Sequence, residues 1–297
     1  MTDFKAIKGF TVQSLATDPK TTGTPAATWA SGGALNTARQ QLAASGTQTA
    51  GLAAAGTTGS ASALNEGYDG SSWTELADLN AAKSGVAGTP AGTQTAALCF
   101  GGSSALATNE LWNGTGWTEV NNLNTGRRAL GAAGTQTAAL AFAGQTPPDV
   151  AVTEKFDGTS WTEVNDMNTA RGSLVGAGTQ TAALGIGGAP GPAVNESWNG
   201  TSWTELADLN TGRNELEAAG TSTAMLVFGG APSSGTVATE FWDGTSWTEL
   251  NNLSTARFSM AGIGSSTLAL AGGGSTGSVT AATEEWTAAT ITDKIIN

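Results

Sequence analysis

Histidine is absent from the 297-residue sequence, and cysteine occurs once, as Cys99. Tyrosine also occurs once, and Lys and Arg together number only 12. These scarcities exclude whole classes of chemistry. A single cysteine cannot form an intrachain disulfide. Without histidine there is no His/Cys zinc site and no acid–base device built on imidazole. The few cations stand against 24 Asp and Glu, for a net charge of −12. Such a chain is a poor nucleic-acid binder, because neutralising phosphates needs clustered Lys and Arg. Charged residues make up 12% of the chain, about half the share of an average globular protein. No apolar run reaches the ~18 residues of a membrane span. The opening, MTDFKAIKGFTVQSLATDPK, has no long apolar stretch and no small-residue cleavage site. No signal peptide is therefore expected, and synthesis in a cytoplasm is.

What the chain has in abundance is glycine, 42 residues, together with Ala, Thr and Ser, and they are arranged in repeats. Tryptophan recurs at 29, 73, 117, 161, 203 and 247, with spacings of 44, 44, 44, 42 and 44. A second aromatic stands five residues before five of these, at Tyr68, Trp112, Phe156, Trp198 and Trp242, and Trp286 continues that series. Ten residues after each main Trp comes a cation: Arg39, Lys83, Arg127, Arg171, Arg213 and Arg257. Two residues before each second aromatic comes Glu66, Glu110, Glu154, Glu196, Glu240 or Glu284. Every series counts six units.

Each unit reads as four short strands. The first follows the cation, as at 127–134, and a GTQT-type turn leads into an apolar run such as 138–142. That run ends in small residues, and a loop of variable sequence leads to a third strand such as 152–156. An Asp-Gly or Asn-Gly turn, the strongest short hairpin signal, leads into the fourth strand with its Trp. Four strands in about 44 residues define a propeller blade. The expected fold is all-β: a six-bladed β-propeller over residues 25–292, with an N-terminal arm at 1–24 and a tail at 293–297. The chain enters at a fourth-strand segment, 26–31, and leaves after a third-strand segment, 282–286. The last blade is therefore expected to be closed by the Trp29 strand. The rival is that 287–296 fills that slot itself.

The sequence resembles the kelch propeller family. The resemblance lies in an Arg-led first strand, a Gly-Gly pair closing the second, Glu-x-aromatic in the third and Trp in the fourth. It covers about residues 25–292. Its departures are Lys83 for Arg, Ala55-Gly56 and Ala143-Gly144 for Gly-Gly, and Ile291 where a seventh main Trp would stand. The resemblance implies architecture and is nearly silent on function. The copper-radical chemistry of kelch-like oxidases finds no ligands in a chain with one Tyr and no His.

The repeated cations and glutamates are expected to form a structural ring, because partly buried charges must be paired or hydrogen-bonded. The alternative is a repeated sugar site like that of six-bladed fucose lectins, which place an Arg, a Glu and an aromatic between blades. A second set, Glu75, Glu119, Glu163, Glu205 and Glu249, is expected to be solvated on the outer strand, where charge discourages edge pairing. Asn113, Asn195, Asn199 and Asn252 match the glycosylation sequon only as by-products of the repeat. Cys99 reads as a buried small hydrophobe. No catalytic residue, metal or cofactor is expected. Glu215 and Glu217 are the nearest thing to a non-repeated carboxylate pair and read as one blade's local variation.

The least repeated text lies between second and third strands. Candidate partner-binding residues there are Ser103, Ser104, Gln145, Pro147, Pro148, Asp149, Pro190, Pro192, Pro232, Ser233 and Ser234. The arm mixes Phe4, Lys5, Ile7, Lys8 and Phe10 and reads as either a strap along its own propeller or a docking element for another protein, of which docking is expected. Its FKAIKG…SLATDP text resembles N-terminal arms of structural proteins of marine tailed phages, which also carry low-charge, Gly/Ala/Thr-rich kelch-like repeats. That resemblance implies a non-enzymatic virion protein made in the host cytoplasm, tail- or fibre-associated. It would contact other virion proteins through the arm and a host-surface glycan or protein through the loops. A lectin-like propeller and a capsid decoration protein are the alternatives.

Overall fold

The computed structural model describes residues 27–190, 193–231 and 234–289. Twenty-four strands assemble into six four-stranded antiparallel sheets, and the described residues contain no helix. The sheets are the blades of a β-propeller. Blade 3 shows the pattern, with strands Gly131–Thr135, Ala138–Phe142, Thr153–Phe156 and Trp161–Val164 lying side by side in sequence order. Blades 1, 2, 4 and 5 repeat it, with first strands beginning at Ala43, Ala87, Val175 and Glu217. Because each blade is a strict meander, all connections between second and third strands emerge on one face, the loop face. The tight turns, two in each of the five continuous blades, lie on the opposite face, the turn face.

Turn chemistry sets the meander. Gly134 has φ +91°, and a Cβ there would stand 2.1 Å from the Ala138 carbonyl oxygen, so only glycine fits. At the outer turn the Asp157 carboxylate accepts hydrogen bonds from the Thr159 and Ser160 N–H groups, both at 2.8 Å, while Gly158 takes φ +93°. Those donors hold the Asp157 carboxyl below its ordinary pKa, and the matching contacts hold Asp69 at about 2.

Blade 6 is closed by the start of the chain. Its strands Ala261–Gly264, Leu268–Gly272 and Thr283–Thr287 are completed by Thr28–Gly32. Trp29 stands opposite Trp286 in the register. The slot is therefore filled from the N-terminus, and the reading in which 287–296 occupies it does not hold. The arm with Phe4, Lys5, Ile7, Lys8 and Phe10, the loop residues Pro192, Pro232 and Ser233, and Ile291 with the tail at 293–297 lie outside the described residues.

Each junction between blades holds its own core. Between blades 3 and 4, Leu140 and Phe142 pack with Ala183, Trp198 and Trp203, and Phe142 meets Trp203 edge to face at 4.9 Å. The two aromatic series face each other inside a blade, as Trp198 opposite Trp203. Near the axis the packing depends on small residues. Gly88, Gly176 and Gly262 stand where a Cβ would lie 2.6, 2.3 and 2.9 Å from the carbonyl oxygens of Ala44, Ala132 and Ala218 in the preceding blade. Glycine in the even blades thus faces alanine in the odd ones.

Two details differ from the sequence expectation. The repeated cations do not belong to the first strands, which begin four residues later, as Gly131 does after Arg127. The intervening residues turn the chain at the axis. Blade 2 has a first strand of only Ala87–Gly88, because Pro90 follows and cannot donate to a ladder.

Candidate functional site

The six repeated cations each meet the repeated glutamate of their own blade. The distances are 2.7 Å for Arg39–Glu66, 2.8 Å for Lys83–Glu110, 3.1 Å for Arg127–Glu154, 3.3 Å for Arg171–Glu196 and 2.8 Å for both Arg213–Glu240 and Arg257–Glu284. None of these side chains is more than 5% exposed. The guanidinium groups also donate to carbonyls at the base of the loops, as Arg257 does to Gly273 and Ala282 at 3.0 and 2.7 Å. Burial lowers the arginine pKa values against the pull of the glutamates, Arg127 to about 10.

A third column completes the arrangement, and sequence reasoning missed it. Asn36, Asn80, Asn124, Asn168, Asn210 and Ser254 lie three residues before the cations. Their backbone N–H groups donate to the second oxygens of the same glutamates at 2.7–2.9 Å. The five asparagine side chains donate to the carbonyl of their blade's main Trp. Each glutamate therefore ties the cation beneath the loop to the linker arriving from the previous blade. Its signal in the sequence is the residue seven positions after each main Trp, as in WTELADLN at 203–210.

Above this framework lies the loop face. Ser104, Pro147 and Pro148 are exposed, whereas Ser103, Gln145 and Asp149 are half-buried. Pro190 and Ser234 are exposed as well. Arg128 and Gln145 pair as neighbouring backbones, as do Gln145 and Asp149.

At the axis a second ring forms from backbone alone. Gln41, Gly85, Ala129, Ser173, Glu215 and Ser259 occupy equivalent positions and all take left-handed φ, between +49° and +63°. Each N–H donates to the carbonyl of its counterpart in the preceding blade, from Gln41 to Ser259 and round to Ser259 to Glu215, at 2.8–3.2 Å. Left-handed backbone at a non-glycine residue costs about 1 kcal/mol or more, and the closed circle of hydrogen bonds holds it.

This ring surrounds a cavity of about 270 Å³ that opens on the loop face. Its wall carries Gln41, Ser103, Arg128, Gln145, Ser173 and Glu215, while the adjoining Leu130, Leu174, Leu216 and Met260 are buried in the cores between blades. The Ser259 hydroxyl donates to the Glu215 carboxylate. Glu217 lines the cavity and a smaller one of about 70 Å³ farther along the axis. Burial pushes the Glu217 carboxyl up to about 8, against the backbone N–H groups of Gly262 and Ala218. The structure thus sets Glu215 and Glu217 at the axis. Arg128, hidden in the sequence beside Arg127, joins them there.

The second glutamate set stands exposed on the outer strands. Cys99 is buried, and that burial pushes its thiol up to about 12. Among the described residues no group of His, Cys, Asp and Glu is placed to hold a metal ion. No protein-family model and no curated protein matches the chain.

Proposed function

We propose that the protein is a kelch-like, non-enzymatic binding and structural component of a tailed-phage virion, associated with the tail or its fibres. It meets its partner through the loop face. The observation that carries the binding reading is a contrast between two layers of each blade. Cation, glutamate and linker form the same buried ion-pair and hydrogen-bond cluster in all six blades. The loops built over that cluster differ in every blade. A uniform scaffold under diversified loops suits recognition, because the loops are positioned without being part of the core. Pre-ordered loops also lose less entropy on binding.

The virion reading rests on the resemblance of the opening residues and on the low-charge, Gly/Ala/Thr-rich repeats. In that reading the arm docks to other virion proteins, and the loops face a host-surface glycan or protein. A lectin ring made of the repeated Arg and Glu would need those side chains at a surface, and they are buried beneath the loops.

Mass spectrometry of purified particles tests the first half, and absence of the chain from them rejects it. Replacing the six loops with Gly-Ser linkers tests the second. Folding and particle incorporation should persist while adsorption falls; unchanged adsorption rejects a role for the loop face.

A further inference from the structure

The axial cavity breaks the sixfold repeat in one respect, its charge. Three charged side chains line it: Arg128 from the linker into blade 3, and Glu215 and Glu217 from blade 5. At the position of Arg128 the other units carry Gln40, Ser84, Gly172, Asn214 and Phe258. At the position of Glu217 they carry only Ala, Gly or Val. The fold is therefore built five times without these charges, and burying a carboxylate beside the axis is unfavourable unless something compensates it. Among the described residues no carboxylate lies within ion-pair distance of Arg128, and neither glutamate has a cationic partner. Opposite charges thus line one cavity, two blades apart around the ring, without neutralising each other.

We propose that the axial cavity binds a small zwitterion, an amino acid whose carboxylate sits on Arg128 and whose ammonium sits on Glu215 and Glu217. The guanidinium fork matches a carboxylate, and the Ser103, Gln145 and Ser173 side chains supply further hydrogen bonds at the wall. The ligand's methylene chain spans the cavity between the two charges. Burial holds the Glu217 carboxyl up at about 8, and an ammonium arriving beside it favours the charged form, so that the proton is released to solvent. The site consists of the cavity and its three charges and is independent of any place in a virion.

Calorimetric titration of the full chain with linear ω-amino acids of one to five methylene groups tests this. One member should bind, and the matching alkylamine and alkanoate should each bind at least about tenfold more weakly. The heat at neutral pH should vary with the buffer's ionisation enthalpy, reporting proton release from Glu217. Arg128→Gln, at an exposed position, should leave thermal melting unchanged and reduce the amino acid to the affinity of the amine. Glu215→Gln should reduce it to the affinity of the acid. The proposal is overturned if no member of the series binds, if amine or acid alone binds as well as the amino acid, or if glucose displaces the bound member.

Discussion

Trp29 lies across from Trp286 in the closing sheet, their rings 5.5 Å apart, although 257 positions of sequence separate them. Trp29 also meets Phe228 of blade 5 edge to face at 4.9 Å and donates from its indole to Thr239 at 3.1 Å. One side chain thus joins the first strand of the chain to the last two blades. Trp29→Ala is expected to cost about 2–4 kcal/mol, read from urea unfolding. An unchanged midpoint would show that closure does not rest on this residue.

The buried pair Arg127–Glu154 offers a double-mutant cycle. Arg127→Met alone leaves a buried carboxylate without its cation and should destabilise by about 3–5 kcal/mol. Arg127→Met with Glu154→Leu should destabilise by less than the sum of the single changes, with a coupling of about 1–3 kcal/mol. Simple additivity would mean that the two side chains act independently.

Glycine beside the axis should be intolerant of one methyl. Gly176→Ala places a Cβ 2.3 Å from the Ala132 oxygen and 2.4 Å from the Phe142 ring. A loss of about 1–3 kcal/mol is expected. Gly277→Ala, with nothing within 4 Å of its Cβ position but φ +103°, provides the comparison in which only backbone strain acts. Equal losses at both sites would argue against close packing as the cause.

Stability should fall between mildly acidic and mildly alkaline pH because of Glu217. Its folded-state pKa is raised from 4.5 to about 8. In that window the folded protein holds a proton that the unfolded chain has released, so raising the pH favours unfolding. The slope ends above the folded pKa. Since solvent in the cavity reaches this carboxyl, the difference is expected to be about 1–2 kcal/mol. Glu217→Val, which copies Val175 of blade 4, should abolish it. A slope retained in that variant would place the titrating group elsewhere.

Gln180 donates from its side chain to the carbonyls of Ala139 and Phe156 in the preceding blade. Gln48 and Gln94 make the same two-carbonyl bridge, whereas blades 5 and 6 carry Ser222 and Ser266 at that turn position. Gln180→Ala leaves two carbonyls without this donor and should cost about 1–3 kcal/mol. Ser222→Ala should cost less, and equal losses would remove the case for the bridge.

The blade count, the paired aromatics and the N-terminal closure were legible because each repeats at fixed spacing in a chain of few residue types. In so sparsely charged a sequence, columns of Arg and Glu also pointed to one another. The axial ring was not legible for a physical reason. Gln41, Gly85, Ala129, Ser173, Glu215 and Ser259 share a backbone conformation and backbone hydrogen bonds, so no side-chain type marks the column. Arg128 was concealed by its neighbour Arg127, since only the turn at Ala129 separates a buried ion pair from the cavity wall. Glu215 and Glu217 were visible as departures from the repeat, but nothing in sequence spacing placed them at the axis.

Thr28 and Thr287 are register partners at the turn-face end of the closing strand pair. A force applied between those two points would peel the pair apart from its end, loading one hydrogen bond at a time instead of shearing all of them together. Mechanically this seam is the weakest geometry a strand pair offers. A load-bearing attachment that keeps the ring intact must therefore pull on one end of the propeller only, leaving the other slack.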